Sequence, residues 1–295
     1  NPGASDADGY THFDLTYTQM LSQYQVGVTG QTNAGPNVKL TADDFPLHRL
    51  VDAYDRNSQI VYDSNDVVGS QGVFTRKLKS IETSGKENCE SVSSIFNVGG
   101  IEVRQVTGRN APSVINAIYN YRNFWDGRAN NRFNGIDPFG DRRPYSPSST
   151  NNILVYDAKA KALKPVHVQI DDASLASQAV GPALSSGEMT CAGMQFRYLG
   201  RKLLPAMPLK NQIVDKTDSV LGAYAGTGNG LKSGSSYAKM VQAAFQPEFW
   251  SAASKINGYS QMEHNFSLFW GLAIQLYEAT LVSNDAPYDQ YKEDP

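Results

Sequence analysis

Trp125 stands in NFWDGRANNRFNGIDPFG, residues 123–140, between an amide, a carboxylate and a guanidinium. The chain has only three tryptophans. An indole is easier to bury among apolar neighbours, because its N–H and the flanking Asp126 and Arg128 all need polar partners once they leave water. The stretch therefore reads as a functional site or a strained turn.

Other groups able to do chemistry are sparse. Cys89 and Cys191 are the two cysteines and neither lies in a C-x-x-C, while His12, His48, His167 and His264 are each isolated, so no zinc ligand set is present. Two buried thiols or one long-range disulfide are both open on the residues alone, and a disulfide implies an oxidising compartment. Asp52, Asp55, Asp63 and Asp66 cluster, but their spacing fits no EF-hand loop and reads as solvated turns. GTGNGLKS, residues 226–233, departs from G-x-x-x-x-G-K-[ST] and follows no buried strand, so it reads as a flexible loop before a helix.

Composition narrows the class. With 295 residues, 40% of them hydrophobic, the chain can bury a real core in one large or two modest domains. The 26 Lys and Arg are scattered among 29 Asp and Glu, which excludes the basic stripe of a nucleic-acid binder. No run approaches the roughly 18 apolar residues of a membrane span. Residue 1 opens on NPGASDADGY, unlike a signal peptide. The expectation is a soluble chain whose export signal, if it had one, is gone. Abundant Gly, Asn, Ser and Tyr suit an exported, loop-rich protein.

The elements that must position these groups follow from periodicity and breakers. Residues 1–45 read as mostly irregular. LTADDFPLHRLVD suggests a short helix capped by Thr41. Residues 72–106 read as extended segments, GVFTRKL and GGIEVRQV, around a loop holding Cys89. APSVINAIYNYRNF has Val114, Ile115, Ile118 and Tyr119 at helical spacing, and ILVYDAKAKALKPVHVQI reads as two short strands joined by a turn, the nearest thing in the chain to an independent hairpin. From Asp171 onward the pattern is helical. DDASLASQAVGPALSSGEM breaks at Gly181 and Pro182; AGMQFRYLGRKLLP, SSYAKMVQAAF and MEHNFSLFWGLAIQLYEATL follow. The last offers Phe266, Phe269, Trp270, Ala273, Leu276, Tyr277 and Leu281 as one wide apolar face. The fold class expected is mainly α, with long loops and a small β-hairpin.

RQVTGRNAPSVINAIYNYRNFWDGRA, residues 104–129, resembles the bacterial di-haem cytochrome c peroxidases and their MauG-type relatives, which carry R-N-A-P-S-x-x-N followed by F-W-D-G-R-A. SLASQAVGPALSSGEMTC is similar to their S-L-x-x-Q-A-x-G-P-x-x-x-x-x-E-M segment. GLAIQLYEATLVSNDAPYDQY is similar to the helix and linker leading to their second haem domain. The resemblance implies a cytochrome c-like scaffold over residues 1–285, with a hairpin insertion at about 141–170 and the start of a linker at 286–295.

It also implies roles. Trp125 is similar to the tryptophan placed between the two haems as an electron relay, with Asp126 and Arg128 setting its electrostatic surroundings. Glu188 matches the distal acid–base that moves a proton between peroxide oxygens, Gln178 its hydrogen-bonding partner and Pro182 a rigid wall. Asn110 matches a calcium ligand, although a helix cap explains it equally well. The implied cofactors are haem c and calcium; the implied partners are hydrogen peroxide and a small electron-donor protein or second haem domain. The family is periplasmic, so Cys89 and Cys191 are expected to be bonded in a periplasmic or secreted protein.

One departure is complete. Haem c attachment needs C-x-x-C-H, two thiols and an iron-ligating histidine, and no such motif occurs. The family's two attachment motifs lie just outside segments like those at the two ends of this chain. The chain is therefore expected to be the stretch between two haem sites, or a relative that has lost both. The rival reading is a haem-free docking or structural subunit. Non-covalent haem held by one of the four histidines is a third.

Overall fold

Apolar runs in this chain are short and punctuated by Gly, Asn and Asp, and the elements they form are correspondingly short. The computed structural model describes residues 2–6, 48–55, 57–63, 66–82, 84–94, 96–98, 101–102, 104–107 and 111–293. The chain divides into two compact units, one of Asn1–Lys79, Cys89–Pro112 and Leu184–Gly193, the other of Ser80–Asn88, Ser113–Ala183 and Met194–Pro295.

The first unit is built on strands. β1 (Pro2–Asp6), β4 (Asp66–Phe74) and β9 (Arg104–Thr107) form an antiparallel sheet in the order β1-β4-β9, with Asp6 opposite Asp66 and Phe74 opposite Arg104. β2 (His48–Leu50) pairs with β3 (Ile60–Asp63), β5 (Arg76–Ile81) with β6 (Glu87–Ser91), and β7 (Asn97–Val98) with β8 (Ile101–Glu102); the tip of the β5–β6 hairpin, Ser80–Asn88, is assigned to the second unit. Three expectations change here, the first being that Asp63 and Asp66, expected in turns, instead end β3 and begin β4. His48–Leu50 is strand where a helix was expected; Pro46, inside the proposed helix, removes a donor and disfavours helical backbone before it. Thr41, the expected cap, lies outside the described residues. Cys89 sits within β6 rather than in a loop. Asp52 and Asp55 accept the backbone N–H of Tyr54 and Asn57, each two residues on, the turn role expected of them.

The second unit carries the helices. They are α1 (Ser174–Ala179), α2 (Phe196–Leu203), α3 (Tyr237–Ala244), α4 (Gln261–His264), α5 (Phe266–Glu278) and α6 (Pro287–Glu293), beside the hairpin of β10 (Ile153–Asp157) and β11 (Ala162–Val166). Phe133, Ile153, Leu175, Val180, Phe266, Leu268 and Phe269 are buried at its centre. α1 is too short to satisfy its own ends, which leave N–H and C=O groups unpaired. α5 supplies the partners: Gln275 Oε1 accepts from Ala176 N at 2.9 Å, and Trp270 Nε1 donates to Ala179 O at 3.0 Å.

Asparagines override the apolar periodicity in two places. The helix expected over APSVINAIYNYRNF is only the 3-10 turn Ala117–Tyr119, because Asn116 takes a left-handed backbone (φ 59°) and bonds Ser283 through both side-chain atoms, at 2.7 and 3.2 Å. Ile115 and Tyr119 consequently face solvent. The long run before residue 281 divides at fully buried Asn265 into α4 and α5, and Leu276 and Tyr277, expected on the apolar face, are exposed. The β10–β11 hairpin forms as expected but is not independent: Ile153 and Leu154 belong to the core.

Candidate functional site

The residues around Trp125 form a turn that the local sequence over-determines. Asn123 and Ala129 exchange backbone bonds, each 3.2 Å, and close a five-residue loop. Inside it Gly127 N donates to Phe124 O at 3.0 Å. Phe124 has φ 64°, a left-handed conformation that an aromatic residue rarely adopts. Such strain persists only where surrounding contacts enforce it. Here they do: the Arg128 guanidinium lies 4.1 Å from the Phe124 ring centroid, Arg128 N and Nη1 donate to the two Asp126 oxygens at 3.1 and 2.9 Å, and Arg142 Nη2 donates to Arg128 O at 2.6 Å. The strained-turn reading of the opening stretch therefore holds, and the turn leaves Trp125 with 79% of its surface exposed.

Buried Asn123 fixes the turn to the helical core, donating through Nδ2 to Ser174 Oγ at 2.9 Å, while Ser174 Oγ donates to Asn120 O at 2.7 Å. Buried Asn130 and Asn134 serve the following loop in the same way, bonding backbone groups from Arg132 to Gly140. The density of Asn and Asp in this stretch is the price of holding irregular backbone away from water.

Partial desolvation pushes the Asp126 carboxyl up, but the Arg128 side-chain bond, its backbone N–H and its charge outweigh that and hold the carboxyl below its ordinary value. A lowered folded value means that the carboxylate stabilises the turn above the ordinary carboxyl range and loses that contribution as pH falls below about 4. Arg128→Ala is expected to move the Asp126 titration back upward when followed by NMR. An unchanged titration would show that Arg128 does not govern this carboxylate.

Gln178 and Pro182 stand on either side of Gly181, which packs against Phe124 of this turn. They stand at the end of α1 and the start of the 3-10 turn Pro182–Leu184, and Gly181 between them packs so closely that a Cβ there would lie 3.3 Å from Phe124 Cζ. Phe124, absent from the residues singled out by sequence, is thus the piece that brings the Trp125 turn to the Gln178–Pro182 segment. Its only sequence signal was its place before Trp125.

Glu188 belongs to the other unit and is exposed. It lies in a turn closed by Met189 N and Thr190 N, which both bond Ser185 O, at 3.0 and 3.2 Å. Cys191, three residues on, is bonded to Cys89 across 102 residues of sequence. Asn110, the proposed calcium ligand, lies outside the described residues.

A sequence model of the di-haem cytochrome c peroxidase family, which includes MauG, matches residues 83–294. The chain belongs to that family. The match spans Trp125, Gln178, Pro182 and Glu188, and the family binds haem c and uses peroxide. No curated protein and no solved structure matches the chain.

For a di-haem peroxidase relative, the attachment chemistry of the described residues is unusual. Both cysteines are consumed in the Cys89–Cys191 bond, so neither is available as a thioether. Of the histidines, His12 lies outside the described residues. His167 stacks on Tyr145 at 4.6 Å, and His264 Nδ1 is enclosed with no hydrogen-bond partner. Burial lowers the His264 pKa most, the nearby Arg197 charge lowers it further, and the Thr150 carbonyl opposes both. The residues of this chain do not fit a covalently held haem c. No described helix is long and apolar enough to cross a membrane.

Proposed function

We propose that this protein reduces hydrogen peroxide, or uses it to oxidise a donor, and that residues 83–294 supply the proton-transfer and electron-relay side chains. The family match over those residues carries the reading. Reduction takes two electrons and two protons to give two water molecules. Heterolysis of the O–O bond requires a proton to leave the inner oxygen and arrive at the outer one, and the Glu188 carboxyl is the group of this chain suited to move it. Gln178 serves as hydrogen-bonding partner, and Pro182 as a rigid wall. Trp125 passes electrons through an oxidisable indole whose surroundings the Asp126–Arg128 pair sets. The electrons come from a donor protein or a small reductant. The Cys89–Cys191 bond supports a periplasmic or secreted setting.

A second reading, a haem-free docking or structural subunit on a cytochrome c-like scaffold, is favoured by the engagement of both cysteines in a disulfide. A visible absorption spectrum of the native protein, recorded with its intact mass, separates the two. A haem spectrum supports the peroxidase reading; a colourless protein with the mass of the bare chain overturns it in favour of docking. In haem-bearing material, Trp125→Phe is expected to slow electron transfer by about tenfold, equivalent to roughly 1.4 kcal/mol of barrier. An unchanged rate in rapid-mixing kinetics would remove Trp125 from the electron path.

A further inference from the structure

The Glu188 turn is held in the first unit by bonds that its own sequence does not provide. Gln105 on β9 is 8% exposed, and its Nε2 donates to Ser186 O at 2.8 Å. The next carbonyl, Gly187 O, accepts from Val73 N at 3.1 Å. Gly72 leaves the room for this contact, since a Cβ there would lie 1.7 Å from Gly187 O. On the far side of Glu188, Ala192 N donates to Arg76 O at 2.8 Å and Ala192 O accepts from Leu78 N at 2.9 Å. The Cys89–Cys191 bond anchors the residue between. Glu188 is therefore an exposed side chain on a turn clamped before and after it.

We propose that Gln105 is the positioning residue for Glu188. The inference deepens the peroxide reading and rests on it for the role of Glu188. A buried amide is costly unless hydrogen-bonded, and this one gives its N–H to the carbonyl two residues before Glu188. Removing that donor leaves the leading end of the turn held by the Val73 N–H bond to Gly187 O alone, while the disulfide and the two Ala192 bonds keep the trailing end in place. The carboxyl then samples a range of positions instead of one, and proton transfer loses its fixed geometry.

The test uses the full chain. Gln105→Glu keeps the shape of the side chain but, ionised, offers no donor; Gln105→Leu removes the polar group altogether. The measurement is hydrogen exchange at the Met189 and Thr190 amides, with α2 in the second unit as reference. At neutral pH Gln105→Glu should accelerate exchange at the turn by about tenfold relative to the parent protein at the same pH, the scale of one net hydrogen bond. At acid pH, where the introduced carboxyl is protonated and can donate again, parent-like exchange should return, and peroxide turnover should recover with it. If Gln105→Leu does not fold, Gln105→Glu decides alone. Unchanged exchange at the turn overturns the proposal; so does equal acceleration at the turn and in α2, since Gln105 then supports the whole fold. Exchange reports the clamp whether or not Glu188 moves a proton, so this result and the peroxide reading can fail separately.

Discussion

Glu188→Gln is expected to lower peroxide turnover of the haem-bearing protein by about 100- to 10,000-fold, the range supplied by one positioned acid–base group. The substitution is nearly isosteric, and the turn is held by backbone N–H bonds to Ser185 O and Gly187 O and by the Gln105 side-chain amide to Ser186 O rather than by the Glu188 side chain. Fold and turn should survive, so the loss is one of proton transfer. The amide can accept and donate hydrogen bonds but cannot take up and return a proton at working pH. Steady-state turnover, with hydrogen exchange at residues 186–190 as control, checks the claim. Turnover within twofold of the parent protein, on an intact turn, would remove Glu188 from the chemistry. Loss of turnover with a disordered turn would instead point to the clamp.

The same residues show what the sequence could and could not convey. Apolar spacing and breakers located α1, α2, α3 and the β10–β11 hairpin, because each of those elements obeys its local pattern. They misjudged the segment around Asn116 and the run through Asn265, where an asparagine side chain bonds backbone more than 100 residues away and local periodicity says nothing about that partner. That the Trp125 stretch is a strained turn was legible from its polar neighbours alone. Its enforcement by Phe124 stacking on Arg128 was not, since a left-handed aromatic leaves no compositional trace. The Glu188 turn was harder still. Its partners, Gly72, Val73 and Gln105, lie more than 80 residues upstream, and nothing in SSGEMTC indicates which strand receives it.

Asn265→Leu should be the most damaging single substitution in the helical unit, with a loss of about 3 kcal/mol from leaving buried polar groups unpaired. The reason begins in the hairpin. Leu154 of β10 stands opposite Pro165 of β11, and proline has no N–H to offer the ladder. The Leu154 N–H and C=O point the other way, toward an edge that no strand covers among the described residues. Two side-chain amides complete that edge in place of a strand. Asn265 Oδ1 accepts from Leu154 N at 2.9 Å, and Asn265 Nδ2 donates to Leu154 O and Phe249 O, both at 2.7 Å. Gln261 Nε2 also donates to Leu154 O, at 2.9 Å. In Asn265→Leu the Leu154 carbonyl keeps Gln261, but the Leu154 N–H and the Phe249 carbonyl lose their partners at a site with no exposed surface. The added branch of leucine must also fit a space shaped for a planar amide. Denaturant unfolding should show a lower midpoint with an unchanged slope, the signature of lost stability without a changed unfolded state. A loss under about 1 kcal/mol would mean that water reaches the Leu154 edge and replaces the amide, because a satisfied hydrogen bond is worth only about that net, whereas unpaired buried groups cost more.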